Sequence, residues 1–221
     1  MSTEGLFDAL DTCVISDAMD RLGLDSGVAD DLRPLWEGAR LAGRVVTVRL
    51  AAGDPPEEKA GVHLGARAIE SSAPGEVIVV ANEGRVSMGS WGGLLSRAAR
   101  AAGGAGVVTD GAVRDVDEAR ELGFAVFGRA GVPRTARGRV HEVSTNGPIV
   151  VSGITVNPGD WVVADGSGVV FVPAVDAERV AGVARELVER EAALITLLER
   201  GDPVTEVLGT PYESMLQKEN R

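Results

Sequence analysis

Arg114 and Asp115 stand side by side at the end of the run Asp110-Gly111-Ala112-Val113-Arg114-Asp115, directly before a segment of helical character. The Arg114 guanidinium is a planar fork that matches a carboxylate with two parallel hydrogen bonds. Asp115 offers a hard anionic oxygen of the kind that Mg2+ and Mn2+ prefer. Together they can hold one 2-oxo acid, Arg114 on the C1 carboxylate and Asp115, through a metal, on the keto oxygen. The same residue types also fit a plainer arrangement, with Asp115 as a helix N-cap and Arg114 in a surface ion pair. The two residues alone leave both readings open.

A second run, Gly89-Ser90-Trp91-Gly92-Gly93-Leu94-Leu95, has the composition of a helix entry whose backbone a ligand can approach. The free N–H groups of a first helical turn bind carboxylate or phosphate, although an ordinary flexible helix entry would read the same way. Other candidates are weaker. His63 and His141 lie far apart without metal-ligand spacing and read as structural or surface residues. Asp165, in Ala164-Asp165-Gly166-Ser167-Gly168, reads as a turn residue. Asp17 and Asp20 fit a solvated helix face, and Cys13, the only cysteine, a small buried hydrophobe. No Ser-His or Cys-His nucleophile pair can be assembled.

The elements around these runs follow from periodicity and punctuation. Helices are predicted over 14–22, 58–71, 94–102, 115–122 and 176–200, and a polar tail over 201–221. In the third of these, Leu94, Leu95, Ala98, Ala99 and Ala102 share a face, with Arg97 and Arg100 outside. Short apolar runs over 44–50, 76–81, 105–109 and 124–127 predict strands between them. From 138 to 173, β-runs alternate with Asn146-Gly147-Pro148, Asn157-Pro158-Gly159-Asp160 and Asp165-Gly166-Ser167-Gly168, which predicts antiparallel strands joined by turns. The pattern implies one α/β domain over 1–221, parallel βαβ in the middle and meandering near the end. Both chemical runs then fall between a strand's C-terminal end and the next helix, the edge at which open α/β sheets bind ligands.

A formal charge of −11 argues against a nucleic-acid surface, which needs clustered Lys and Arg. It leaves room for a small anionic substrate held by one or two local cations. One cysteine excludes an intramolecular disulfide framework and fits a reducing compartment. The acidic N-terminus lacks an apolar leader, and no apolar run approaches membrane-span length. A cytoplasmic location with no membrane contact is expected.

The segment WGGLLSRAARAAGGAGVVTDGAVRDVDEARELGFAVF resembles the signature region of the RraA-like family, with further similarity at ISDAMDRLG, RPLWEGARLAGRVVTV, SSAPGEVIVV and NPGDWVVADGSGVVFVP. That family includes aldolases for 4-hydroxy-4-methyl-2-oxoglutarate and 4-carboxy-4-hydroxy-2-oxoadipate, oxaloacetate decarboxylases, and regulators of ribonuclease activity. The resemblance implies an α/β fold of the swivelling β/β/α sandwich kind and assembly as a homotrimer or hexamer. It places the substrate loop on Gly92, Gly93, Leu94 and Leu95, the substrate arginine on Arg114 and the metal aspartate on Asp115. The aldolases often carry an acidic residue twenty-one positions before that arginine; here Gly93 stands there, one carboxylate fewer.

The resemblance also implies a glutamate, acting through water on the metal, from a neighbouring subunit's C-terminal region. In the final helix Val180, Val183, Ala184, Leu187, Val188, Leu194, Ile195 and Leu198 form an apolar stripe, and Glu191 falls on it. A carboxylate there wants a partner or a metal-bound water. The expectation is therefore a lyase dependent on a divalent metal, Mg2+ or Mn2+, that cleaves a 4-hydroxy-2-oxo acid to pyruvate and can decarboxylate oxaloacetate. With no side chain obvious as the base, a metal-proximal water is expected in that role. The alternative is a non-catalytic regulator that binds protein partners.

Overall fold

Apolar β-branched runs fill the middle of the chain, and in the computed structural model, which describes residues 5–54 and 62–209, they pair into one mixed sheet. In chain order the elements begin with α1 (Thr12–Arg21), β1 (Arg33–Pro34), β2 (Leu41–Ala52), α2 (Ala66–Ser71), β3 (Val77–Ala81) and β4 (Gly89–Trp91). There follow α3 (Gly93–Ala101), β5 (Gly106–Thr109), β6 (Ala112–Val113), α4 (Val116–Glu121), β7 (Ala125–Gly128) and β8 (Ala130–Gly131). The last part holds β9 (Val140–Thr145), β10 (Ile149–Val151), β11 (Ile154–Val156), β12 (Trp161–Asp165), β13 (Gly168–Val172), α5 (Ala177–Arg200) and α6 (Val204–Val207).

The main sheet runs β1-β7-β5-β3-β2-β12-β13, with β9 also paired to β2. β2, β3, β5 and β7 are parallel, while β9 and β12 are antiparallel to β2. β1 packs beside β12 and β13 from the far edge, so the sheet curls into a nearly closed barrel. Side chains alternate between its faces with the period of two that a strand imposes. Val45, Val77, Val79, Val108, Phe127, Val162 and Phe171 fill the interior. Val46, Val48, Ile78, Val80, Val107 and Val126 face outward beneath α2, α3 and α4. A third cluster packs Ile15 and Met19 of α1 and Val180, Ala184 and Leu187 of α5 against Val163, Val170 and Val172. Each such side chain contributes about 1.5–3 kcal/mol by leaving water.

Several expectations shift. β2 extends well beyond 44–50 because its first part pairs with β12 and its last part, from Val48 across a bulge at Arg49/Leu50, with β9. The helix expected over 58–71 is described from Ala66, and its first part lies outside the described residues. α3 buries Gly93, Leu95, Ser96 and Ala99, and leaves Leu94 83% exposed. Its inward face is turned because buried Ser96 accepts from Trp91 Nε1 at 3.0 Å and donates to the Gly92 carbonyl. Cys13 is exposed rather than buried, since α1 points Thr12, Val14 and Ile15 inward. Asp165 does more than turn the chain. Its buried carboxylate accepts from Thr12 N at 2.9 Å, Thr12 Oγ1 at 2.8 Å and Ser167 N at 2.9 Å, tying α1 to the sheet. Among the described residues, no helix is long and apolar enough to cross a membrane.

Candidate active site

Each of the two chemical runs follows the C-terminal end of a parallel strand, β3 or β5, and a small sheet joins them. β4, β6 and β8 pair in parallel, Gly89 opposite Ala112 and Trp91 opposite Val113. The Arg114 N–H donates to the Trp91 carbonyl at 2.9 Å, and Ser90 Oγ bonds Thr109 Oγ1 at 2.9 Å and the Ala112 carbonyl at 3.0 Å. These bonds hold the 89–95 loop against the 110–115 loop.

The glycines of the first loop serve close approach. A Cβ on Gly89 would press on the aliphatic stem of Arg114, one on Gly92 would lie 3.2 Å from Asp115 Oδ2, and one on Gly93 would overlap the Glu118 carboxylate. Side chains from the second loop and α4 thus lie directly on the backbone of the first. Gly92, Gly93, Leu94, Leu95, Arg114 and Asp115, the residues assigned from sequence, all line one cavity of about 180 Å3.

Asp115 sits in the left-handed region, at φ 59° and ψ 41°, which a short polar side chain tolerates better than most. It makes no side-chain cap to α4, the helix it precedes. Instead Oδ2 accepts the Gly93 N–H at 2.9 Å, across to the N-terminus of α3. The simple N-cap role is therefore replaced by a bridge between two helix starts. Oδ1 accepts no hydrogen bond among the described residues and remains available to a ligand. Arg114 forms no ion pair among the described residues, and its Nε is buried without a hydrogen-bond partner. A buried unpaired donor costs roughly 1–3 kcal/mol, which a bound anion would recover.

The first turn of α3 supplies further donors. Gly93 N–H goes to Asp115 and Ser96 N–H to the Gly92 carbonyl at 3.0 Å. Among the described residues, the Leu94 and Leu95 N–H groups have no acceptor, and both residues line the cavity. The partial positive charge of a helix start favours an anion there.

His63 is exposed, as its surface reading expects, and it also lines the cavity with Leu64, Thr135 and Ala136. Its Nδ1 lies 2.9 Å from the Leu64 carbonyl, to which a ring nitrogen can only donate, so Nε2 is the nitrogen not engaged by that bond. The following Gly65 N–H donates to buried Glu142 at 2.7 Å, which also accepts from Thr145 Oγ1 at 2.7 Å and Arg67 at 3.3 Å. That anchor sets the wall carrying His63. No local motif marks it, because the Gly65–Glu142 bond beside it joins segments far apart in the chain.

Glu191 stands apart. It is exposed on α5 outside the cavity lining. Burial first, then the charges of Asp20, Glu191 and Asp11, hold the Asp17 carboxyl of α1 above its ordinary range. α5 buries no residue beyond Leu187, because α1 covers only its first half, so the expected burial of the apolar stripe stops short of Glu191. His141, on β9, bonds the Gly53 carbonyl and takes no part in the cavity.

A divalent cation fits this donor set in one way only. Among the described residues, no three of His, Cys, Asp and Glu converge to hold a metal alone. Mg2+ commonly uses one or two carboxylates and keeps several waters or substrate oxygens. The free Oδ1 of Asp115, at the cavity wall, suits such an open site.

The chain matches the RraA-like family, Aldolase/RraA, over residues 12–171, a stretch that contains both loops and excludes Glu191. It is 36% identical over 136 residues to the 4-hydroxy-4-methyl-2-oxoglutarate aldolase of Thermus thermophilus, covering 61% of this chain and 77% of that one. It is 34% identical over 161 residues to protein DlpA of Legionella pneumophila, covering 72% of this chain but only 25% of DlpA. Its fold superposes on an uncharacterized protein from Pseudomonas syringae pv. tomato with TM-score 0.82 and 31% identity, over 92% and 95% of the two chains. Streptomyces coelicolor RraAS2, from the RNase ES inhibitor RraA family, follows at TM-score 0.75 and 26% identity, over 85% and 92%. A family match over well more than half of its length, on the same mixed-sheet fold, makes this chain a member of the RraA-like family.

Proposed function

We propose that the protein is a carbon–carbon lyase that cleaves 4-hydroxy-4-methyl-2-oxoglutarate, or a related 4-hydroxy-2-oxo acid, to pyruvate. The observation that carries this reading is the buried, unpaired Nε of Arg114 in a cavity that also presents Asp115 and the free N–H groups of Leu94 and Leu95. Similarity to a named aldolase supports it. Arg114 pairs with the C1 carboxylate, and the two amides take its remaining lone pairs. Asp115 would hold a divalent metal, Mg2+ or Mn2+, which would supply positive charge to polarise the C2 keto oxygen.

Cleavage removes the C4 hydroxyl proton as the C3–C4 bond breaks, leaving C4 as a carbonyl and the electron pair in a pyruvate enolate. His63 Nε2, the imidazole nitrogen on the cavity wall that the Leu64 carbonyl does not engage, accepts that proton in preference to a water. Arg114 and the α3 amides stabilise the enolate charge, and a proton returned to C3 completes pyruvate. Oxaloacetate loses CO2 through the same enolate, with no hydroxyl proton to remove. The α5 face beyond Leu187, with Val188 and Ile195 exposed, supports a homotrimer or hexamer in which Glu191 would act on a neighbouring subunit's site.

The test is pyruvate release from a panel of 4-hydroxy-2-oxo acids and oxaloacetate, with Mg2+ and after exhaustive EDTA. Metal-dependent release, lost in Asp115→Asn with the fold intact, is the expected result. Asn keeps a left-handed backbone accessible and an oxygen for Gly93 N–H while removing the charge. Release unaffected by EDTA and by this variant would remove the metal from the mechanism. No release from any substrate would favour a non-catalytic regulator that binds protein partners, a reading kept open by similarity to RraAS2.

A further inference from the structure

We infer that the mouth of the barrel is a second small-molecule site, separate from the cavity around Arg114, which takes a small organic carboxylate with a short apolar tail. A cavity of about 330 Å3 opens toward the C-terminal ends of β2 and β3, bordered by Arg49, Ala81, Glu83, Ile149, Val150 and Thr155. It shares no lining residue with the cavity around Arg114. The β10–β11 hairpin closes that end of the barrel, its Ile149, Val151 and Val156 packed into the interior. Val150 and Thr155, direct partners across the hairpin, are left exposed on its other face. An apolar side chain and a hydroxyl thus stand side by side. Arg49, exposed on β2, supplies the charge. It stands at the bulge where the ladder to β9 shifts, the kind of irregularity that re-aims a side chain, and its partner on β3 is the small Ala81.

Arg49 makes no side-chain hydrogen bond or ion pair among the described residues, although the chain carries 33 acidic against 22 basic residues. The other charge on the cavity, Glu83, is already answered by Arg85. One unopposed guanidinium beside a hydroxyl and an apolar wall selects a carboxylate, which takes the fork with two parallel bonds. A phosphate dianion would find no second unengaged cation among the lining residues. The wall is also fixed in advance. Glu83 holds a left-handed backbone at φ 51°, which glutamate seldom adopts, and conformations of that kind collect at ligand sites. Its turn is pinned from behind. Buried Asp110 accepts the Asn82 and Gly84 N–H groups at 2.6 and 3.1 Å, and the Arg85 carbonyl accepts the Ala112 N–H at 3.3 Å. A ligand therefore meets a preformed wall, and binding costs little ordering entropy. The competing roles are a solvated arginine beside an empty gap, or one that meets an acidic group of a second copy.

Butyrate is the probe, and saturation-transfer NMR reads its dissociation constant on protein carrying Arg114→Gln, which removes the other carboxylate clamp. Butyrate should bind this protein, and adding Arg49→Gln should weaken binding about tenfold, the loss of one charge-assisted pair. Arg49→Lys, which keeps the charge without the fork, should fall between the two. Val150→Asp, a change at an exposed position, should weaken binding as Arg49→Gln does by setting a carboxylate against that of the ligand. Acetate, which lacks the tail, and inorganic phosphate should each bind several-fold more weakly than butyrate. The inference is overturned if butyrate does not bind, if Arg49→Gln stays within twofold of its parent, or if Val150→Asp has no effect. Acetate or phosphate that binds as tightly as butyrate overturns the ligand class. An oligomer that Arg49→Gln dissociates assigns the arginine to contact with a second copy instead. None of these failures touches the lyase reading, which pyruvate release and the Asp115 variant test separately.

Discussion

Arg114 presents a planar group rather than a point charge, its stem lying along Gly89 and its Nε shielded from water. Arg114→Lys should therefore be a severe lesion, with kcat falling about 10²–10³-fold, roughly 3–4 kcal/mol by analogy with loss of one oxyanion donor. A fall in kcat/KM of less than about fivefold would show that Arg114 is not the carboxylate clamp. On the proposed mechanism, His63 would separate two reactions of one site. Aldol cleavage must shed a hydroxyl proton and decarboxylation need not. His63→Asn should thus slow cleavage by about 10²-fold while leaving oxaloacetate decarboxylation within about threefold of wild type. Equal losses in the two rates would reduce His63 to a structural part of the wall. Arg114 and Asp115 were legible as a chemical pair because their types and adjacency carry meaning locally. His63 was not, because the bond that anchors nearby Gly65 runs to Glu142, on a strand far along the chain.

At the scale of elements, Asp165 anchors the N-terminus of α1 to the end of β12 through three donors. Burial alone would raise its carboxyl, but the bonds from Thr12 and Ser167, with the charge of Arg40, outweigh it and hold the pKa below the ordinary carboxylate range. Asp165→Asn should lower stability by about 1–3 kcal/mol in urea unfolding, since buried donors lose their acceptor. A lowered native pKa means that the ionised carboxylate stabilises the fold above its unfolded pKa of about 3.9. That contribution is lost as pH falls through the native value. The deficit of the variant should be full at neutral pH and narrow across that acid window; a deficit constant with pH would assign it to packing instead. Helix and strand positions were largely legible from periodicity. The inward face of α3 was not, since Ser96 turns inward to serve Trp91 while Leu94 is left exposed.

For the whole molecule, α5 sets the question. Its first half packs on α1, and its second carries Val188, Ile195 and Glu191 into the open. If a neighbouring subunit covers that face and receives Glu191 at its metal site, Asp115→Ala and Glu191→Ala should each be inactive alone. Gentle dissociation and reassociation of the two together should restore part of the activity, because mixed assemblies contain sites with both residues intact. Mixed oligomers that form and remain inactive would end the idea of a shared site, as would a monomer in solution.

The sequence by itself determined the alternation of buried strands with amphipathic helices, the two loops at strand ends and the Arg114–Asp115 pair, because each rests on residue type and short-range spacing. Tertiary structure alone decided what those loops do to each other. The pairing of β4 with β6 joins segments more than twenty residues apart. Only that pairing lets Asp115 bond Gly93 rather than its own helix, leaves Arg114 Nε buried and unpaired, and brings Glu118 over a glycine. The glycines of the first loop show the difference most directly. Their presence is plain in the sequence, but a missing Cβ has meaning only once the side chain that fills its space is known.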